Sequence, residues 1–118
     1  MNVVQLYGLK NCSTCVKAMK WLAAQKIEFA FTDYRDHPVA PEQLTAWALA
    51  LGGWEKLVNR ASTAWRNLSD ESKMASGAEQ WLALIAASPT LIKRPVSVTL
   101  AGVVNVGFSE KKYSEIFA

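Results

Sequence analysis

Two cysteines, Cys12 and Cys15, stand three positions apart in "YGLKNCSTCVKAMKWL", residues 7–22. That spacing serves three kinds of chemistry: a redox thiol pair, half of a zinc site, or two small core residues. Zinc needs about four nitrogen or sulfur ligands, and beyond the two cysteines this chain has one histidine, His37. A structural metal is therefore not expected. Thiolate is the reactive form of cysteine, and a helix N-terminus favours it through unpaired backbone N–H groups and the macrodipole. Cys12 falls where a short apolar run gives way to a helical pattern, which makes it the expected nucleophile. Cys15 lies on the apolar stripe of that helix, so it reads either as a buried small residue or as a resolving thiol. Lys10 adds a positive charge two residues before Cys12, although an exposed lysine is screened by solvent.

The elements that must position these residues follow from periodicity. "VVQLY" (3–7), ended by Gly8, reads as a buried strand. From Ser13 to Gln25 the apolar positions Cys15, Ala18, Met19 and Leu22 mark one face of a helix. "IEFAFTDY" (27–34) alternates as a half-buried strand does. Strand, helix and strand in so short a span form a βαβ unit with parallel strands and a right-handed crossover. "PEQLTAWALAL" predicts a helix opened by Pro41 and stopped at Gly52-Gly53. Short helical turns follow, and Ser76 with Glu79 predicts a capping box ahead of "QWLALIAAS". In "RPVSVTLAGVVNVGF" two valine-rich runs meet at Ala101-Gly102, a hairpin signal. "SEKKYSEIFA" predicts a closing helix capped by Ser109, with Tyr113, Ile116 and Phe117 on one side.

This order predicts an α/β fold: a mixed four-stranded sheet of thioredoxin-like plan with flanking helices. The chain reads as one domain over residues 1–118, with a helical insertion over about 41–90. In folds of this plan a cis-proline precedes the third strand beside the reactive cysteine. The Arg94–Pro95 bond is accordingly expected to be cis, with backbone groups at Pro95 open to substrate.

Composition narrows the function classes. Hydrophobic residues make up 51% of the chain and charged residues 19%, the balance of a packed globular protein. The formal charge of +3 comes from scattered lysines and arginines, which gives nucleic-acid binding little support. The five tryptophans fall at helical spacings among Leu and Ala, so they read as packing residues. His37, in a loop beside Pro38, has no catalytic pattern around it. "MNVVQLYGLK" lacks a basic n-region and apolar runs such as "WLALIAAS" fall far short of ~20 residues. A cytoplasmic monomer without membrane or nucleic-acid partners is expected, and in a reducing compartment a structural disulfide is not.

The blocks "LYGLKNCSTCVKAMKWL", "GWEKLVNRASTAWRNL" and "LIKRPVSVTLAGVVNVGFSE" together resemble the arsenate-reductase-like family, the ArsC/Spx group, over nearly the whole chain. The pattern is nearest to its small YffB-type branch, described as glutathione-dependent thiol reductases. The resemblance implies that Cys12 is the nucleophile and that Arg60 and Arg94 are the arginines that hold an oxyanion. Their guanidinium forks suit a thiolate or a glutathione carboxylate equally well. Lys10, Asn11, Ser13 and Pro95 are expected to line the substrate site. Where arsenate reductases carry a third arginine, this chain has Gly107, so arsenate itself is a doubtful substrate. The expected activity is glutathione-dependent thiol–disulfide exchange, with no bound cofactor, glutathione as co-substrate, a small thiol or disulfide as substrate, and glutaredoxin as a further partner. Two alternatives come with the resemblance: a true arsenate reductase, and an Spx-like redox-sensing regulator that binds RNA polymerase.

Overall fold

A computed structural model describes residues 3–117. In chain order the elements are β1 (Val4–Gly8), α1 (Ser13–Ala24), β2 (Phe29–Asp33), α2 (Pro41–Leu51), α3 (Trp54–Leu57), α4 (Thr63–Arg66), α5 (Ala78–Ala87), β3 (Val96–Val98), β4 (Val104–Val106) and α6 (Glu110–Ile116). Two 3₁₀ turns, Ser72–Met74 and Pro89–Leu91, flank α5. These elements fall into two compact units, one of Met1–His37 with Arg94–Ala118 and one of Pro38–Lys93.

The first unit holds the sheet, in the order β2-β1-β3-β4. β1 and β2 run parallel, in a register that sets Val4 beside Phe29 and Gly8 beside Asp33. β3 is antiparallel to β1, with Leu6 opposite Ser97, and β4 is antiparallel to β3. This is the thioredoxin-like plan. Val4, Leu6 and Gly8 are buried, as the period of two in β1 requires. Cys15, Ala18 and Leu22 are buried one turn apart along α1, with Met19 packed beside them. Leu6, Ala18, Leu22 and Tyr113 form the centre of this core, and Trp21, Phe29, Phe31, Phe108, Ile116 and Phe117 pack around them. Tyr113 meets Trp21, Phe108 and Phe117 edge-on at centroid distances of 5.6, 4.7 and 5.2 Å, the favoured aromatic geometry. The hairpin turns at Ala101-Gly102, where Gly102 takes φ +85° and its N–H donates to Thr99 O. Ser109 caps α6 by accepting from the Lys112 N–H.

The second unit is helical. Pro41 occupies the first turn of α2, and Gly52 ends it in the left-handed region at φ +98°. Val58 and Ile92 form an antiparallel bridge, flanked by bonds from Asn59 N–H to Leu91 O and from Lys93 N–H to Leu57 O. Trp65 stacks on Trp81 at 5.9 Å. None of the five tryptophans is exposed. The capping box expected at Ser76 and Glu79 does not form. Gly77 is the N-cap of α5, and the Gln80 side chain accepts from the Ser76 N–H at 2.8 Å. Gln80 is the third helical residue, so the side chain that reaches back belongs one position later than the motif predicted. Among the described residues no helix is long and apolar enough to cross a membrane.

Candidate active site

The first unit carries the cysteine turn at the carboxyl end of β1. Cys12 N–H donates to Leu9 O at 3.1 Å and Cys12 O accepts from Val16 N–H at 3.0 Å, which makes Cys12 the N-cap of α1. No disulfide joins the two cysteines; Cys12 is half-buried and Cys15 fully buried. The Cys12 side chain closes no strict cap hydrogen bond, yet the Cys15 and Thr14 amides, the Cys15 thiol and the Arg94 guanidinium all turn toward its sulfur. Partial burial works against ionisation of Cys12, but these donors outweigh it and hold its pKa below the ordinary thiol value. For Cys15 the balance is reversed. Burial, with the facing Cys12 sulfur, pushes its pKa up to about 11 despite a helping amide at Leu9. One sulfur is thus disposed to react and the other to stay protonated.

Gly8, the last residue of β1, makes this packing possible. A Cβ there would lie 2.5 Å from the Cys15 sulfur.

The other side of the turn is fixed by the end of β2. The buried Asp33 carboxylate accepts from Lys10 N–H at 3.0 Å and from Arg35 N–H at 2.9 Å, and these two bonds hold it below the usual aspartate range. Lys10 itself points to solvent, where its Nζ pairs with Asp36 at 3.3 Å. An exposed pair of this kind contributes little, and Lys10 therefore acts on the turn through its backbone. Tyr34, the next residue, is buried and its hydroxyl meets Arg94. Burial opposes the Arg94 charge, but hydrogen bonds with Tyr34 and Cys12 more than offset that cost.

Of the residues expected to act, Cys12, Cys15 and Arg94 meet at the thiolate, and the Arg94–Pro95 bond is cis. The backbone at Pro95, expected to be open to substrate, is not, because Pro95 is buried, has no N–H, and its carbonyl accepts from Gly107 N–H at 2.9 Å. Asn11 and Ser13 flank Cys12 and are exposed. Arg60 belongs to the second unit, exposed in a turn built by Asn59, whose Oδ1 accepts from Ala61 N–H, and by Ser62, which caps α4. His37 is exposed. Asp33 and Tyr34 were not singled out by the sequence reading. Their signal is a polar pair ending an apolar strand parallel to β1, at the same sheet edge as the cysteine turn, where α/β sheets place their ligands. Among the described residues, no three His, Cys, Asp or Glu come together as a metal site.

The chain matches the model of the ArsC family over residues 7–116. It is 42% identical over 116 residues to an uncharacterised protein of Haemophilus influenzae, covering 98% of this chain and all of that one. A solved YffB protein superposes with a TM-score of 0.87 at 36% identity, over 98% of this chain and 100% of that one. An arsenate-reductase-related protein of Brucella melitensis does so with a TM-score of 0.76 at 35% identity, over 98% and 94%. The global transcriptional regulator Spx of Streptococcus pneumoniae is 26% identical over 109 residues, 92% of this chain and 80% of its own. With the family pattern running through both the cysteine turn and the Arg94–Pro95 segment, and full-length relatives on either side, this chain belongs to the ArsC family.

Proposed function

We propose that this protein is a glutathione-dependent thiol–disulfide oxidoreductase with Cys12 as its nucleophile. One observation carries the reading: a half-buried thiol at a helix N-terminus, with amide and guanidinium donors turned toward its sulfur, beside a second thiol that stays protonated. In the first step the Cys12 thiolate attacks a glutathione mixed disulfide at the glutathione sulfur. A Cys12–glutathione disulfide forms, and the substrate leaves as a thiolate that takes a proton. A second glutathione thiolate then attacks the glutathione sulfur of that adduct, which releases oxidised glutathione and returns the Cys12 thiolate. Overall the mixed disulfide and one glutathione give the substrate thiol and oxidised glutathione: the substrate sulfur is reduced, one glutathione thiol is oxidised, and no electron is left over. Arg94 steadies the anionic sulfur, and Lys10, Asn11 and Ser13 line the entering chain. Arg60 enters on the family resemblance as the second anion-holding arginine. Glutaredoxin fits as a partner that recycles the adduct, and the cytoplasm supplies the reduced glutathione.

Mass spectrometry after exposure to oxidised glutathione tests this. A single Cys12–glutathione adduct is the expected product. A Cys12–Cys15 disulfide without adduct would favour the second reading, a redox switch of the kind the Spx relatives bring to mind, and co-purification with RNA polymerase would then be the result to seek. No reaction at either cysteine would remove both.

Arsenate is expected to be reduced slowly or not at all, even with glutathione and glutaredoxin present. Losing one of three charged donors to a dianion costs about 1.5–3 kcal/mol, a tenfold or greater loss of affinity. Gly107 stands where the third arginine would be, at φ +81°, with its N–H donating to Pro95 O at 2.9 Å. An arginine put there must hold a left-handed backbone at a cost of about 1–2 kcal/mol of fold stability, so Gly107→Arg restores the missing charge only in a less stable protein. Robust arsenate turnover by the purified protein would show this argument to be wrong.

A further inference from the structure

Nothing in the family pattern gives Tyr34 a role, yet it is among the most completely buried side chains of the first unit, at 1% exposure. Its backbone is held from both sides. Tyr34 N–H donates to Gly8 O at 3.1 Å, the last rung of the parallel ladder. Immediately before it, Asp33 ties down Lys10 N–H and Arg35 N–H with its carboxylate, and Asp33 O accepts from the Asp36 and His37 N–H groups at 3.1 and 2.9 Å. The ring therefore leaves a turn that has little freedom, and its hydroxyl oxygen accepts from the Arg94 guanidinium. The same guanidinium donates to the Cys12 sulfur. A guanidinium is a planar fork of five N–H donors on a long flexible stem. Anchoring one edge of the fork aims the other edge, and removes rotamer freedom that would otherwise be lost each time Arg94 met the sulfur.

We propose that Tyr34 is a positioning residue for the nucleophile: its hydroxyl, fixed by the turn at the end of β2, anchors the Arg94 fork so that the opposite edge meets the Cys12 sulfur. The ionisable groups of this unit that face Cys12 are Cys15 on its own helix, Arg94 ahead of β3 and Tyr34 after β2. Tyr34 is itself pushed up to about 12 by burial and stays neutral at working pH, so it acts by holding the fork and not by changing charge. This inference rests on the Cys12 reading above, but its test needs no glutathione.

The pH dependence of iodoacetamide alkylation of Cys12, in a Cys15→Ser background, reads the thiolate directly. The parent midpoint is expected below the ordinary thiol value, and Tyr34→Phe should raise it by roughly half to one pH unit, the worth of one hydrogen bond. Arg94→Ala should raise it at least as far. In the Arg94→Ala background Tyr34→Phe should add nothing, because a residue acting through another loses its effect when that other is gone. An unchanged midpoint in Tyr34→Phe, or an equal shift with Arg94 absent, would overturn the proposal, since a merely structural tyrosine predicts one or the other. Thermal melts accompany each variant. Should Tyr34→Phe fail to fold, Arg94→Lys carries the test: it keeps the charge but breaks the fork. A midpoint as high as that of Arg94→Ala supports the proposal, and one equal to the parent's overturns it. Absence of a glutathione adduct with these shifts intact would fault the reductase reading and leave this inference standing.

Discussion

Cys12→Ser is expected to abolish glutathione-dependent disulfide reduction, while Cys15→Ser leaves most of it. The difference follows from where the two sulfurs sit. A serine hydroxyl at position 12 has no accessible anion near neutral pH and cannot form the mixed disulfide, so the loss should be as large as the assay can measure. Cys15 is fully buried, and with its pKa pushed up to about 11 roughly one part in ten thousand is thiolate at pH 7. Attack by external glutathione on the half-buried Cys12 adduct is then the faster route to resolution. Serine at position 15 keeps the backbone N–H that favours the Cys12 thiolate and supplies a hydroxyl donor in place of the thiol. Steady-state rates with a small glutathione mixed disulfide, compared for both variants and the parent, decide the matter. Equal losses in the two variants would make Cys15 a resolving thiol and move the mechanism to an internal disulfide.

Gly8→Ala is expected to cost about 1–3 kcal/mol of stability, the usual range for a methyl group forced into a packed core. Two effects oppose each other at this site. Replacing glycine reduces the freedom of the unfolded chain, a gain of about 0.4–1 kcal/mol where the native backbone tolerates a side chain, and Gly8 lies in regular strand geometry. Against this, the new Cβ would stand 2.5 Å from the Cys15 sulfur, with the Phe31 ring also in contact at 3.6 Å. That sulfur belongs to a residue pinned in α1 and cannot swing away as the end of a long side chain would. The clash wins, and Tm should fall on the order of 10 °C. Cys15→Ala removes the offending sulfur, so the double variant Gly8→Ala, Cys15→Ala should recover most of the loss. Thermal and denaturant unfolding of the four proteins measure the coupling. Additive effects would mean that Gly8 is not there to make room for Cys15.

Much of this molecule follows from short-range pattern. The period of two in "VVQLY", the helical stripe Cys15, Ala18, Leu22, the proline that opens α2, the glycine that closes it, and Ser109 at the start of α6 are each encoded within a few neighbouring residues. Those signals suffice for the element order, the βαβ unit and the hairpin, and hence for placing Cys12 at a helix N-terminus, because chain geometry links spacing directly to local conformation. Local rules reach their limit even at short range: Ser76 and Glu79 carry the capping signature, but the helix begins one residue later because Gly77 accepts the cap position and Gln80 supplies the return bond. What the tertiary structure alone decides is how residues distant in sequence share a sulfur. The register of β1 with β2 puts Asp33 beside Gly8 and so brings its carboxylate to the Lys10 amide. The antiparallel placement of β3 beside β1 returns Arg94 to the cysteine turn, where Tyr34 meets it. Neither partner has a periodicity to announce it, since a hydrogen bond across a sheet depends on strand order and register, and a one-residue slip would turn every one of these side chains to the opposite face.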